Sequence, residues 1–300
     1  MDAYLMRLTQ SHITYMRSAP LAPRTSFRIG GEASVLVLPR SFEELSLAIG
    51  YAKECGMGFR ILGRGTNLLV DDGGMHVPVI ATEGLQSYIF DRDRVQADAG
   101  LPLARLILRG IAVGKGGLER LFGIPGTVGG AVRMNAGAYG QEIADVFVGA
   151  TVLDTDTMRL LELTAEEMSF SYRFSLLSDP RFVLLRATFS LEDTDPFYAR
   201  TLLESISQKR RQSQPLDLPS AGSVFRRPSC GYASQMIDQA GLKGYRIGDA
   251  AVSSKHAGFI VNLGHATSQD VKALIAHICH AVFDRFGVWL QTEIEIWTGG

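Results

Sequence analysis

Residues 114–140 read GKGGLERLFGIPGTVGGAVRMNAGAYG. Glycine recurs so densely that no regular element with a packed face is expected, and the segment reads as a long functional loop or a string of turns. Its middle, Gly123-Ile124-Pro125-Gly126-Thr127-Val128-Gly129-Gly130-Ala131, exposes backbone amides and keeps bulky side chains away. Upstream, Gly63-Arg64-Gly65-Thr66-Asn67-Leu68 follows a strand but runs on into Leu69 and Val70 rather than into a helix. Lacking a helix N-terminus for a pyrophosphate, it is no doubly wound dinucleotide loop, and could hold phosphate only on successive backbone N–H groups. Taken alone it reads better as a glycine turn between strands. Two such loops together suit a ligand with a long phosphate spine, such as an extended dinucleotide. No GxxxxGK[ST] is present, which excludes a P-loop.

Outward from these loops the pattern is α+β. Residues 34–38 read as a strand, Ser41 with Glu44 as a capping box, and Leu45, Ala48, Ile49 and Ala52 as the buried stripe of a helix that Gly56 stops. A returning strand at 59–62 completes a βαβ unit. Short strands and turns fill 67–97, and a helix starts near Pro102. Residues 147–153 and 158–163 alternate across Asp154–Thr157 as a hairpin, with a further strand at 182–191. Asp195-Pro196 opens a helix ending in Lys209, Arg210 and Arg211, whose charges complement the helix dipole. Gln214–Ser220, with two prolines, is the expected domain crossing, followed by helices at 233–240 and 267–286 and strands at 259–262 and 289–297. The expected organisation is a leader over 1–20, one domain over 21–195 and another over 196–300, within the usual domain size range.

Composition narrows the function. The chain has 300 residues, 46% hydrophobic and 20% charged, enough to bury one or two cores. Thirty Lys and Arg against 31 Asp and Glu leave a formal charge of −1, so no global field recruits nucleic acid or an anionic bilayer. Any anion must be held by a local site. Charge or glycine interrupts every apolar stretch before the roughly 20 residues of a membrane span, and Met1–Arg17 lacks an apolar export core. Three distant cysteines, Cys55, Cys230 and Cys279, fit neither a disulfide framework nor a zinc knuckle and point to a reducing compartment, the cytoplasm.

Several polar residues invite chemical readings. Ser223, in Ala221-Gly222-Ser223-Val224-Phe225, lies outside any G-x-S-x-G elbow and by itself is a turn hydroxyl. Glu293 alternates with Ile294 and Ile296, which by pattern places it on the solvent face of the last strand. His277 and His280 could pair on a metal, but no third ligand is near in sequence and the segment reads as a packed helix, so no metal is expected. Tyr172 and Arg173, in Ser171-Tyr172-Arg173-Phe174-Ser175, join an aromatic to a fixed cation able to clamp a carboxylate.

Together these segments resemble the UDP-N-acetylenolpyruvoylglucosamine reductase family. The likeness runs through 25–31 (Thr25-Ser26-Phe27-Arg28-Ile29-Gly30-Gly31), 63–69, 123–140, 171–175, 221–228, Gly241-Leu242-Lys243-Gly244, 252–256 and Thr292-Glu293. GIPGTVGGA and MNAGAYG are partly shared with other oxidases of the same FAD fold, whereas SYRxS, AGSVF and the terminal Glu are more specific. The resemblance implies an FAD domain of the para-cresol methylhydroxylase type and an α+β substrate domain, in the shorter subtype without a lid insertion. It implies non-covalent FAD held by Gly63, Arg64, Gly65, Thr66, Asn67, Leu68, Gly123, Pro125, Gly126, Thr127, Gly129, Gly130, Ala131, Asn135, Gly137 and Ala138. NADPH is implied as co-substrate, and the reaction as hydride transfer from the flavin to the methylene carbon of UDP-N-acetylglucosamine enolpyruvate, giving UDP-N-acetylmuramate for peptidoglycan and so for cell shape and division. Hydride arriving there pushes charge into the adjacent carboxylate, so a cation and a carboxylic acid belong beside it, by motif Arg173 and Glu293. Ser223 is implied as the donor that protonates the resulting enolate. Tyr172, Arg227, Lys255 and His256 are the implied substrate contacts. A cytoplasmic monomer with no membrane or nucleic-acid partner is expected.

Three positions depart from the family pattern: Arg227 where Asn is common, Asp249 where Gly is common, and Gly258 where Asn is common. A flavin oxidase of the same fold is the main alternative, but no covalent-attachment motif surrounds His76 and an oxidase has no need of Ser223 and Arg173. A non-catalytic flavin module would be expected to lack Ser223, Arg173 or Glu293, and all three are present.

Overall fold

The computed structural model describes residues 1–299, and within it the chain divides into two units. One holds Met1–Met16, Leu36–Arg64 and Pro78–Gln208; the other holds Arg17–Val35, Gly65–Val77 and the chain from Lys209 onward. This division cuts differently from 21–195 and 196–300. Segments 17–35 and 65–77 join the C-terminal part because Phe27, Ile29 and Leu69 sit in its core and Leu68–Val70 pairs in parallel with Glu295–Trp297. Such pairing between segments far apart in the chain leaves no local trace in sequence.

In the first unit the expected leader is a packed helix, Asp2–Gln10, with Tyr4, Leu5 and Leu8 buried. Its Arg7 pairs with Glu54, and Ser11 Oγ lies 2.7 Å from Tyr51 Oη, which docks it on the Phe42–Glu54 helix. Ser41 caps that helix by accepting the Glu44 N–H at 3.1 Å, and the predicted stripe of Leu45, Ala48, Ile49 and Ala52 is buried. The return bond of the expected capping box goes one residue further back, with Glu44 accepting from the Arg40 N–H at 2.7 Å. The strands on either side of this helix, ending at Leu36–Val37 and spanning Arg60–Leu62, are parallel but not adjacent. Val79–Ala81 lies between them, parallel to both.

A five-stranded antiparallel sheet forms the bulk of the unit, in the order Arg159–Thr164, Phe147–Asp154, Phe182–Ser190, Arg94–Asp98, Tyr88–Asp91. Its apolar face packs with the Leu103–Ala112 helix, whose Leu103, Leu106, Ile107 and Ile111 are buried, and with Phe147 edge-on to Phe170 and Phe189. Burial of such side chains stabilises by roughly 1.5–3 kcal/mol each. The glycine-rich stretch is not structureless as expected. Thr127 caps a six-residue helix, Val128–Arg133, with Val128, Ala131 and Val132 buried.

In the second unit a four-stranded antiparallel sheet runs Ser220–Ser223, Phe259–Asn262, Ala250–Val252, Arg246–Ile247. The Ser268–Phe286 helix covers it through Val271, Leu274 and Ile278, started by a reciprocal Thr267–Asp270 box and stopped by Gly287 in the left-handed region. Only Glu295–Trp297 of the expected 289–297 strand is regular. Among the described residues no helix is long and apolar enough to cross a membrane.

Candidate active site

The first unit joins three of the sequence motifs. The two glycine loops meet where a Cβ on Gly63 would stand 2.9 Å from Thr127 Oγ1. Beyond Thr127 the first amides of the short helix are spent internally: Val128 N–H donates to Leu101 O at 2.8 Å, Gly129 N–H to Ala99 O at 2.8 Å, and Gly130 N–H to Thr127 Oγ1 at 3.3 Å. That helix end is therefore anchored to the turn that follows Arg94–Asp98 and has no amides left for an anion. Gly63 and Gly129 lack side chains where Thr127 and Ala99 pack against them, so what the loops offer a phosphate-bearing cofactor such as FAD is bare backbone at Gly126 and Gly130. Gly126 holds φ +130°, a conformation that L side chains avoid.

Asn135, almost fully buried, is the hub of the MNAGAYG segment. Its side-chain amide donates to Glu142 Oε2 at 2.8 Å and to Ser171 O at 3.1 Å, and its Oδ1 accepts from Ala144 N–H at 3.0 Å. The SYRFS segment docks on it. Ser171 and Phe174 exchange backbone bonds in a tight turn, and Ser175 Oγ donates to Arg133 O at 2.9 Å. Arg173 sits at the turn with φ +56°, its guanidinium donating to Asn135 O and Gly137 O at 3.4 Å each and resting 4.9 Å from the Tyr172 ring centroid. A cation held among carbonyls beside an exposed aromatic is a seat for a carboxylate. Sequence reasoning missed Glu142, which holds Asn135; only its place seven residues after Asn135 could have hinted at it.

The second unit joins Ser223 to Glu293. Ser223 ends the Ser220–Ser223 strand, after Gly222 at φ +81°, and the next residues pair with the chain's last segment: Phe225 bridges Thr292, Arg226 N–H donates to Gln291 O at 2.9 Å, and Glu293 N–H donates to Val224 O at 2.7 Å. Glu293 is half-buried, not on an open strand face as the alternation implied, because it lies between that bridge and the parallel pairing with Leu68–Val70. Asn67, expected at the cofactor, ties its side-chain amide to Glu293 O at 3.1 Å and accepts the Glu295 N–H on its own carbonyl at 2.9 Å. Gly65, at φ +58°, has room for no Cβ, which would stand 2.5 Å from Arg24 O. Ser26 hooks this loop to the Ser223 strand, donating from N to Gly65 O at 3.1 Å and from Oγ to Ser220 O at 2.6 Å. The TSFRIGG motif thus has a structural task that its sequence did not disclose.

Around Ser223 the remaining candidates separate. His256 is near: a Cβ on the buried Gly258 would stand 3.2 Å from Ser223 Oγ and 3.1 Å from His256 Cε1. Burial pushes the His256 imidazole below its ordinary value, and the neighbouring Lys243 charge adds to this, so the ring is neutral at pH 7. Lys255 donates its ammonium to Arg211 O. Arg227 lies over the Tyr232 ring, 4.1 Å from its centroid. His277 stacks on Tyr245 and His280 packs edge-on to Trp289.

Comparison with known proteins finds relatives of both parts of the chain. The FAD binding domain family matches residues 33–162, and the C-terminal domain family of UDP-N-acetylenolpyruvoylglucosamine reductase matches residues 214–297. The chain is 43% identical to the UDP-N-acetylenolpyruvoylglucosamine reductase of Caldicellulosiruptor saccharolyticus over 96% of its own length and 93% of the relative's. It is 45% identical to the enzyme of that name from Caldanaerobacter subterraneus, over 92% and 91%. The crystal structure of UDP-N-acetylenolpyruvylglucosamine reductase from Thermus caldophilus superposes with a TM-score of 0.80 at 33% identity, covering 95% of this chain and 99% of that one. A berberine bridge enzyme variant, a reticuline dehydrogenase, shares the fold alone, with a TM-score of 0.51 at 16% identity.

Proposed function

The chain belongs to the UDP-N-acetylenolpyruvoylglucosamine reductase family, and from that premise we propose that it reduces UDP-N-acetylglucosamine enolpyruvate to UDP-N-acetylmuramate through bound FAD, with NADPH as the electron source, in peptidoglycan precursor synthesis. The observation that carries the reading is the pairing of Ser223 and Glu293 through Val224, in the part of the chain that matches the reductase-specific domain. The Asn135 hub that seats Arg173 supports it from the flavin-binding part. We extend the reading to a cytoplasmic monomer, consistent with three free cysteines.

FAD, when bound along the glycine loops, carries hydride between NADPH and the substrate. The substrate gains a hydride at its methylene carbon and a proton at the carbon bearing the carboxylate. As hydride arrives, negative charge spreads into that carboxylate, and the Arg173 guanidinium, held by two carbonyls, meets it without reorganising. Glu293 in its acid form shares the same charge by a hydrogen bond, its backbone clamped on both sides by Val224 and Asn67. Ser223 then donates its hydroxyl proton to the carbon. A hydroxyl is a weak acid, but an enolate is a base strong enough to take its proton. The serine alkoxide so formed is reprotonated from solvent.

A spectral titration tests the reading. Under nitrogen, NADPH should bleach the flavin band of the yellow protein and the enolpyruvyl substrate should restore it. Flavin that NADPH leaves oxidised contradicts the proposal, as does reduced flavin that ignores the substrate and discharges only into oxygen.

A further inference from the structure

The loop joining Ala250–Val252 to Phe259–Asn262 is held from several directions. Ser253 Oγ accepts from the N–H groups of Lys255 at 3.1 Å and His256 at 3.3 Å, Ser253 N–H donates to Phe259 O at 2.9 Å, and Phe259 N–H donates to His256 O at 3.0 Å. The His256 ring is moored as well, its Nδ1 accepting the Gly258 N–H at 3.2 Å and its ring standing nearly perpendicular to that of Phe259, centroids 5.0 Å apart. On the other side of Gly258, its carbonyl accepts the Val224 N–H at 2.8 Å. A Cβ at Gly258 would stand 3.2 Å from Ser223 Oγ and 3.2 Å from His256 Nδ1. The hydroxyl and the imidazole therefore both crowd the position that a side chain on Gly258 would take, and glycine there lets them approach each other.

We propose that His256 is a positioning residue for Ser223: the moored imidazole walls the space above Gly258 and holds the serine hydroxyl in the rotamer that delivers its proton. The inference rests on the reading of Ser223 as proton donor. With Nδ1 engaged as an acceptor, the neutral ring carries its proton on Nε2 and has no lone pair left to take one from Ser223. It acts by its place and not as a base. A hydroxyl swings freely about its Cα–Cβ bond unless something confines it, and misplacement of a reacting group by ~1 Å costs about 100-fold in rate.

The test follows the reoxidation of NADPH-reduced holoenzyme by UDP-N-acetylglucosamine enolpyruvate in stopped flow, varying substrate. His256→Ala should lower the limiting rate by about 10- to 100-fold while the half-saturating substrate concentration moves by less than about threefold. His256→Asn, which offers an amide oxygen near the place of Nδ1, should recover part of the rate and serves also if the alanine variant folds poorly. In a Ser223→Ala background, His256→Ala should add nothing. A wild-type limiting rate with raised half-saturation, or an undiminished extra loss in the Ser223→Ala background, overturns the positioning role. If Ser223→Ala itself discharges at the wild-type rate, the proton-donor reading fails first; if it collapses while His256→Ala does not, only the present inference fails.

Discussion

Arg173 shows what one residue carries beyond its letter. The SYRFS motif announces a cation, but not that its backbone is left-handed at φ +56° or that its guanidinium rests on Asn135 O and Gly137 O. Left-handed backbone costs an L-residue about 1–2 kcal/mol, an expense tolerated where a side chain must be aimed. Two substitutions separate backbone from charge. Arg173→Gly and Arg173→Ala both remove the guanidinium and should both slow flavin discharge into substrate by about 100-fold or more. In urea unfolding, the glycine variant should be the more stable by roughly 0.5–1 kcal/mol, the relieved strain exceeding its greater chain entropy. Discharge at the wild-type rate in Arg173→Gly would remove the guanidinium from the chemistry. Ser223 and Glu293 were legible only as a motif set. Taken singly, the alternation around Glu293 pointed to an open strand face, because a period of two cannot reveal that Phe225–Thr292 and Leu68–Glu295 pairings flank it.

Elements were legible where local chemistry repeats. The Ser41 cap with its four-residue apolar stripe, the long helix expected over 267–286 and the hairpin at Asp154–Thr157 all formed close to where capping and alternation placed them. The Val128–Arg133 helix was missed because six residues, two of them glycine, show no period, although Thr127 was a visible cap. Helix and loop here work as one device. Thr127 and the carbonyls of Ala99 and Leu101 consume the first amides, and Gly126 turns the backbone into the helix at φ +130°. Gly126→Val puts a β-branched side chain on that conformation and into the side-chain-free strip, so the purified variant should keep its circular dichroism and lose bound flavin. A variant that folds and retains a full complement of FAD would move the cofactor away from this loop.

At the scale of the whole molecule, the class and the order of motifs were readable, and the partition was not. A linear reading assigns 21–195 and 196–300, whereas Leu69, Phe27 and the last strand build the second core together. Each unit gathers its own set of motif residues: the first joins Gly63 to Thr127 and Asn135 to Arg173, the second joins Asn67 and Ser223 to Glu293. On the proposed reading, flavin reduction needs no proton from Ser223, and flavin discharge does. The most direct measurement is therefore the pair of half-reactions of Ser223→Ala, each followed at the flavin band by stopped flow under nitrogen. The account predicts wild-type flavin content, reduction by NADPH within about twofold of wild type, and discharge into UDP-N-acetylglucosamine enolpyruvate slowed by at least ~100-fold. Discharge at the wild-type rate would contradict it.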